Sequence, residues 1–181
     1  VLYSSLLYNG LILVSPFKYR IKSQLFFKNI FAIRKWAFLL LGLAVLNLTS
    51  GVTVAGIDAG KVFNTWPLMN GAIIPNHYWV KSKGFFNFFE NCATVQFNHR
   101  TFAYLTYFLA TVFFLRFRKS GLPFQFIFGI KSLLFLVNFQ LFNGVFMLLY
   151  QVPVEFGVLH QGNGVVTLSS VIYLLAMCSP R

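Results

Sequence analysis

Two of the three histidines in this chain occupy matched positions. His99 stands near the start of one long apolar run and His160 near the start of another, with one further apolar run between them. If these runs are consecutive helices of one bundle, the first and the third are parallel, and both imidazoles lie at the same depth. Two such imidazoles can ligate one metal centre, and the positive end of a helix dipole keeps each ring neutral. Hydrogen-bonded histidines at a membrane interface give the same spacing, so the residues alone leave both interpretations open.

The surrounding residues bear on which metal two histidines could hold. Iron, copper and zinc all accept imidazole. A zinc site would need two more ligands, and only Asp58, Glu90 and Glu155 remain near that side, with Cys178 at the other end. Haem needs two axial ligands and apolar walls, which makes it the better fit. His77 has no matched partner and is interpreted as a loop residue.

Two polar residues next to these histidines could assist them. Arg100 could bind a haem propionate through a charge-assisted hydrogen bond, or it could pair with Glu90 or Asp58. Gln161 could orient His160, or it could be a solvated amide at the interface. Both alternatives remain open from the residues alone.

Other polar and small residues in the apolar runs favour a structural role. Buried amides in membrane helices usually bridge neighbouring helices, which we expect of Asn138, Gln140 and Asn143. Small residues that recur about every four positions allow close helix packing, as do Gly51, Ala55, Gly56 and Gly60.

The composition indicates a membrane protein. Of 181 residues, 57% are hydrophobic and 10% are charged, with 15 Lys and Arg against 3 Asp and Glu. A soluble domain carries about 25% charged residues. The formal net charge of +12 would suit nucleic acid, but readers of nucleic acid are not built from long uncharged apolar runs. We expect the lipid bilayer as partner and no nucleic acid.

Charged residues divide the chain into four apolar spans and one partial span, each measured against the roughly 20 residues that cross a bilayer. We predict an all-α membrane protein, with a transmembrane four-helix bundle over residues 36–181. Residues 1–17 are the tail of a preceding transmembrane helix, and residues 18–35 are a basic linker. The spans are expected at about 36–58, 98–117, 124–150 and 157–178, with an outer loop at about 59–97.

The distribution of basic residues orients this bundle. Nine basic residues fall in the first and third connections, at Lys18, Arg20, Lys22, Lys28, Arg34, Lys35, Arg116, Arg118 and Lys119. Only three fall in the second and fourth connections, at Lys61, Lys81 and Lys83. The positive-inside rule therefore directs the long loop outward. Its aromatic and proline residues are typical of a folded interfacial cap, among them Trp66, Pro67, Pro75, Tyr78 and Trp79.

Three motifs resemble the haem A synthase family. They are SGVTVAGIDAGKVFNTWPLMNGAIIP at residues 50–75, FENCATVQFNHRTFAYL at residues 89–105 and LHQGNGVVTLSS at residues 159–170. They occur in the family's order and at its separations, and the resemblance covers essentially everything from Trp36 onward. The first run, VLYSSLLYNGLILVSP at residues 1–16, resembles the tail of the family's fourth helix.

The resemblance implies a function and a cofactor. The family oxidises the methyl group of haem O to the formyl group of haem A for cytochrome c oxidase, using eight transmembrane helices in two similar halves. This chain corresponds to the C-terminal half, which holds haem b between His99 and His160. The catalytic acidic residue belongs to the first half, so no catalytic residue is expected here. Some bacterial members carry an outer-loop cysteine pair, of which this chain has only Cys92.

The expected partners follow from the same resemblance. They are a first-half chain that carries the haem O site and haem O synthase or other cytochrome oxidase assembly factors. The first half could equally belong to a longer form of this protein. The mitochondrial inner membrane is the favoured location, with the bacterial plasma membrane as the alternative. The alternative function is a non-catalytic haem-binding or structural subunit of a respiratory assembly, and a weaker third is a channel with Lys131 as its intramembrane charge.

Overall fold

The computed structural model describes residues 2–14 and 24–179, and most of these residues are helical. In these two ranges the chain has no β-strand, and it forms six α-helices: α1 (Leu2–Val14), α2 (Gln24–Gly56), α3 (Asn87–Glu90), α4 (Cys92–Phe117), α5 (Phe124–Leu149) and α6 (Val154–Met177). Two 3₁₀ segments, Ala59–Lys61 and Lys81–Phe86, lie in the long connection between α2 and α4. The expected all-α fold is confirmed.

Four of these helices close into a bundle. Helix α2 packs against α4 and α6, and α5 packs against the same two helices, so α4 and α6 stand diagonally opposite each other. Helix α1 lies outside this ring against α6. Two hydrogen bonds hold it there, from Tyr3 to Ser169 at 2.7 Å and from Tyr8 to Ser179 at 3.1 Å between hydroxyl oxygens.

The bundle has the dimensions and the surface of a membrane domain. Among the described residues, α2, α5 and α6 are long and apolar enough to cross a bilayer. Helix α4 is less apolar, yet its 26 residues extend about 39 Å at 1.5 Å per residue, against a hydrocarbon core of about 30 Å. Along α5, Phe128, Phe135 and Phe142 form a ridge seven residues apart, and all three are more than half exposed. Such a ridge suits lipid rather than water.

The tightest apolar packing lies toward one end of the bundle. Phe113, Phe117, Phe126, Leu133 and Leu174 belong to one buried cluster that joins α4, α5 and α6, and each is almost fully buried. This cluster occupies the end where α4 and α6 finish. The opposite, outer end of the bundle is where the polar side chains of α4 and α6 meet, and the candidate site lies there.

Helix α2 begins well before its expected start at Trp36. It starts at Gln24, so residues 24–35 of the expected basic linker are helical, and residues 18–23 lie outside the described part of the chain. Charged residues break an apolar run without breaking a helix, because they extend into the headgroup region. Here Lys35 places its ammonium 4.6 Å from the ring centroid of Phe31 on the same helix.

Helix α4 also begins before its expected start at residue 98. Its first residue is Cys92, because the Asn91 side chain caps it by accepting a hydrogen bond from the Ala93 backbone N–H at 3.0 Å. Cys92 is therefore a helix residue rather than a loop residue, and it is a free cysteine, like Cys178. Helix α6 begins at Val154 rather than at residue 157, directly after Pro153.

Candidate functional site

The structure brings His99 and His160 together inside the bundle. Their ring centroids are 6.4 Å apart, with the ring planes at 70°. His99 is on the second turn of α4 and His160 is on the second turn of α6. Because these diagonal helices both begin at the outer end, the two rings reach toward each other across the bundle. The matched positions predicted from the sequence therefore meet in space.

A glycine on a neighbouring helix makes room for each ring. A Cβ added at Gly51 on α2 would lie 3.3 Å from Cε1 of His99. A Cβ added at Gly144 on α5 would lie 2.9 Å from Cε1 of His160 and 3.5 Å from its Nδ1. Any side chain at Gly144 would displace the ring. The position of the His160 ring therefore depends on the glycine at 144, and the His99 ring packs closely against Gly51.

The other small residues near Gly51 are used differently. A Cβ at Gly60 would meet Val152 at 3.1 Å, so this glycine permits close packing of the outer loop against the turn between α5 and α6. Gly60 lies beyond the end of α2, so this contact is not the predicted one between helices. Gly56 faces open space, and Ala55 is exposed. Close approach is thus a property of two of these four positions.

Ser50 contacts Nδ1 of His99, and this contact bears on which ring nitrogen carries the proton. The Ser50 hydroxyl donates to the Asn47 carbonyl at 3.1 Å, and its oxygen lies 2.9 Å from His99 Nδ1. A hydroxyl has one proton, so with that proton on Asn47 the Ser50 oxygen accepts from the Nδ1–H of His99. Nε2 then carries the lone pair, in the tautomer that binds a metal. Asn47 is itself fixed to α4, because its amide donates to the Thr106 hydroxyl at 2.7 Å.

His160 has no equivalent partner for its ring. Its Nδ1 is buried and has no hydrogen bond in the described part of the chain. Its backbone carbonyl is held by Gln140, whose amide donates to it at 3.0 Å, and Gln140 accepts in turn from the Asn163 amide at 2.5 Å. Buried polar atoms without partners are rare, and they often mark functional sites.

The amide residues predicted to bridge helices divide into two groups. Gln140 and Asn143 both donate from α5 to carbonyls of α6, at His160 and, at 3.3 Å, Phe156. Asn138 instead donates to a carbonyl of its own helix, at Leu134. The bridging role is confirmed for the first two residues and is wrong for Asn138.

Gln161 does not orient His160 in this structure. Its side chain is exposed, and no hydrogen bond within the described residues joins it to the histidine. The solvated-amide interpretation fits, and the side chain that bonds to His160 is that of Gln140, at the backbone carbonyl and not at the ring. The sequence predicted a helix-bridging role for Gln140 but not its partner, because the partner depends on how α5 and α6 are rotated against each other.

Arg100 fastens the outer loop to α4. Its guanidinium donates to the carbonyls of Thr65 at 3.0 Å and Phe63 at 2.8 Å, and to the Gln96 side chain at 3.2 Å. Gln96 continues this link, since its amide donates to the Ala59 carbonyl at 3.0 Å. The Nε of Arg100 is buried and has no partner among the described residues. The guanidinium thus holds the loop over the outer end of the histidine pair.

The acidic partners considered for Arg100 are engaged elsewhere or exposed. Asp58 pairs with Lys61 at 2.9 Å, and Glu90 is exposed. No ion pair joins Arg100 to either of them in the described part of the chain. His77 is an exposed loop residue, as expected, and its carbonyl accepts from the Asn91 amide at 2.8 Å.

The separation of the two rings leaves room for one metal ion between them. Metal–imidazole bonds of about 2.1 Å on two sides of one ion put the ring centroids roughly 6 Å apart, and the observed separation is 6.4 Å. In residues 2–14 and 24–179, no group of three or more His, Cys, Asp or Glu side chains is arranged to hold a metal ion. Two nitrogens alone suit a metal whose remaining ligands come from a macrocycle, as in haem.

The chain is similar to proteins of cytochrome oxidase assembly. Residues 1–172 match the COX15-CtaA family model, which is described as a cytochrome oxidase assembly protein. The chain is 31% identical over 174 residues to a haem A synthase of Nitrosomonas eutropha, an alignment that covers 96% of this chain and 48% of the relative.

Two further haem A synthases give higher identity over shorter alignments. The enzyme of Bartonella bacilliformis is 38% identical over 136 residues, which is 75% of this chain and 38% of the relative. The enzyme of Rhizobium meliloti is 40% identical over 130 residues, which is 72% of this chain and 35% of the relative. The chain thus spans about half the length of the curated relatives it matches, or less. No solved structure matches it.

Proposed function

Because this chain belongs to the haem A synthase family of cytochrome oxidase assembly proteins, an oxidoreductase family, we propose that it is the haem b-binding half of such an enzyme. The observation that carries the proposal is the pair of imidazoles at 6.4 Å across the bundle, with the Ser50 hydroxyl oxygen 2.9 Å from His99 Nδ1. His99 and His160 are the proposed axial ligands. The proposed role is that of the C-terminal half of the enzyme.

The residues around the pair support noncovalent binding of haem. The two cysteines, Cys92 and Cys178, stand in no Cys-x-x-Cys-His arrangement, so the chain has no attachment motif for a c-type haem. A haem held only by axial histidines and apolar contacts is of the b type. When bound, it supplies a one-electron carrier.

This chain's own residues would hold that haem rigid. Ser50 keeps the proton of His99 on Nδ1, so that Nε2 is free to bind iron. Gly51 and Gly144 let both rings stand close to the neighbouring helices. Arg100 and Gln96 fasten the outer loop at the end of the site, which limits access of water. Arg100 also keeps a buried Nε without a partner among the described residues, and we propose that this N–H donates to a haem propionate.

The chemical step is proposed to lie outside this half. Asp58, Glu90 and Glu155 are the only acidic residues, and all three are exposed. The described residues therefore offer no buried carboxylate beside the histidines. We propose that oxidation of the haem O methyl group takes place in a first half that holds the substrate. That half, haem O synthase and other assembly factors are the proposed partners, and the whole enzyme's activity is proposed for the two halves together.

The location is proposed from the membrane character and the relatives. A cytochrome oxidase assembly factor works in the membrane that holds the oxidase, which is the mitochondrial inner membrane or a bacterial plasma membrane. The curated relatives described above are bacterial, which fits the second. The high phenylalanine content, 24 residues, points to an AT-rich coding genome and so favours a mitochondrial origin. We therefore retain the mitochondrial inner membrane as the proposed location.

A difference spectrum of the protein purified in detergent tests haem binding. We expect a sharp, low-spin b-type band on reduction, which His99→Ala and His160→Ala each abolish because either change removes an axial ligand. His77→Ala is the matched control and should keep the band, because this histidine lies exposed in the loop. A folded wild-type protein that binds no haem would contradict the proposal. It would favour the alternative, a structural subunit of a respiratory assembly.

A further inference from the structure

In residues 79–90 of the outer loop a polar side chain is buried and the aromatic side chains are exposed, which is the reverse of the usual arrangement in a folded segment. Asn87 is fully buried at 0% exposure, whereas the aromatic residues around it point outward. The exposed aromatic side chains are those of Trp79, Phe85, Phe86, Phe88 and Phe89, with Phe85 at 71% exposure. We call residues 79–90 the aromatic platform. A polar centre with an aromatic exterior is the pattern of a surface that faces something other than water.

The inside of the platform is completely hydrogen-bonded. The Asn87 amide donates to the carbonyls of Val80 at 2.9 Å and Gly84 at 2.7 Å. Its oxygen accepts from the Val80 backbone N–H at 3.0 Å and from the Asn91 amide at 2.9 Å. Gly84 has a φ of 47°, a conformation that favours glycine. The conformation of the platform is therefore fixed by specific hydrogen bonds.

The platform is fixed to the outer end of α4. Asn91 both caps α4 and donates to the His77 carbonyl at 2.8 Å. The Thr94 hydroxyl, one turn into α4, donates to the carbonyl of Tyr78. Since α4 enters the membrane at this end, these bonds hold the platform at the boundary between lipid and water.

The outward aromatic rings contact one another instead of the bundle core. Phe85 lies 5.8 Å from Phe88 and 5.6 Å from Phe89 between ring centroids, and Trp79 lies 5.8 Å from Phe88. Exposing this cluster to water costs about 25 cal/mol for each Å² of apolar area. Aromatic side chains at headgroup depth avoid that cost, which is why they gather at membrane interfaces.

Charged side chains lie beside the aromatic rings of the platform. Lys81 and Glu90 are exposed, and Lys83 donates to the Glu90 carbonyl at 2.8 Å. An aromatic surface flanked by charged side chains suits the headgroup level of a membrane, where each kind of group meets its preferred surroundings. We propose that the aromatic platform inserts into the outer leaflet at the level of the headgroups and anchors the loop that covers the histidine pair.

Collision accessibility of a spin label tests this insertion. The label is placed at Phe86→Cys in a Cys92→Ser background, where the remaining Cys178 is buried. The protein is reconstituted in vesicles of phosphatidylcholine and phosphatidylglycerol. We expect several-fold greater accessibility to oxygen, relative to a nickel chelate, than for a label at Asn76→Cys. Asn76 is exposed in the same loop but lies outside the platform.

Two outcomes would overturn the proposal. Equal ratios at the two positions would mean that the platform faces water, and a label shielded from both reagents would mean that protein covers it. If a labelled variant does not fold, brominated lipids give a second readout on unlabelled protein. We then expect them to quench tryptophan emission less in Trp79→Phe than in wild type, and equal quenching would equally overturn the insertion.

Discussion

Ser50 Oγ lies 2.9 Å from His99 Nδ1, and this contact joins α2 to α4 at the depth where the two histidines meet. The hydroxyl proton of Ser50 is engaged with Asn47, so the serine acts toward the ring as an acceptor. His160 has no such contact on its own Nδ1. The two rings are therefore unequal, although their positions on their helices are matched.

Ser50→Ala should weaken haem binding. The change removes the acceptor that fixes the His99 tautomer and orientation, and loss of such a contact typically costs 10–100-fold in metal affinity. Titration of the apoprotein with haem measures the loss, and the reduction potential reports the altered ligand. Ser170→Ala is the control, because that hydroxyl donates to the Thr167 carbonyl of its own helix. Equal affinity in both variants would contradict the role given to Ser50.

Gly144→Ala should lower haem occupancy, whereas Gly162→Ala should raise the stability of the protein. At Gly144 the new methyl group would stand 2.9 Å from His160 Cε1, so the ring must move and haem occupancy should fall. At Gly162, on α6, the methyl group would meet open space, and alanine should stabilise the helix by up to about 1 kcal/mol. Haem content and thermal unfolding of each variant measure the two effects. Normal haem content in Gly144→Ala would refute the packing argument.

Gln140→Ala should loosen the contact between α5 and α6. It removes the donor to the His160 carbonyl and the acceptor of the Asn163 amide. Hydrogen bonds between membrane helices contribute about 0.5–2 kcal/mol each, so unfolding in mixed micelles should occur at lower denaturant. Asn138→Ala is the comparison, since among the described residues Asn138 bonds only within α5. The interpretation fails if both alanine variants unfold at the same denaturant concentration.

Arg100→Ala should release the outer loop. Three hydrogen bonds tie the guanidinium to Thr65, Phe63 and Gln96, and without them residues 59–80 should be cut faster by an external protease. Lys61→Ala is the control, because its ion pair with Asp58 is mostly exposed and contributes little. Unchanged cleavage of the loop in Arg100→Ala would rule out the role of Arg100 in holding the loop.

The histidine pair could be predicted from the sequence because it depends only on helix order and direction. His99 and His160 each stand near the outer end of a helix, and alternation of spans brings those ends to one side. The partners of each ring could not be predicted. Whether Ser50 or a neighbour reaches His99 depends on the rotation of α2 about its axis, which no local pattern specifies.

The helix ends and the loop were harder to predict for a different physical reason. Charge patterns locate the hydrocarbon boundary, and helices continue beyond it, as α2 does from Gln24. Two of the three partners of Arg100 are backbone carbonyls, which every residue has, so the sequence favoured acidic side chains or a propionate instead. The buried Asn87 at the centre of the aromatic platform likewise shows no periodic signal.

The densely packed cluster around Phe113, Phe117 and Phe126 has a consequence for the compartments on either side. It fills the end of the bundle opposite the histidines with almost fully buried side chains. Water and protons that move between the histidine pair and that end of the bundle therefore meet a closely packed apolar barrier.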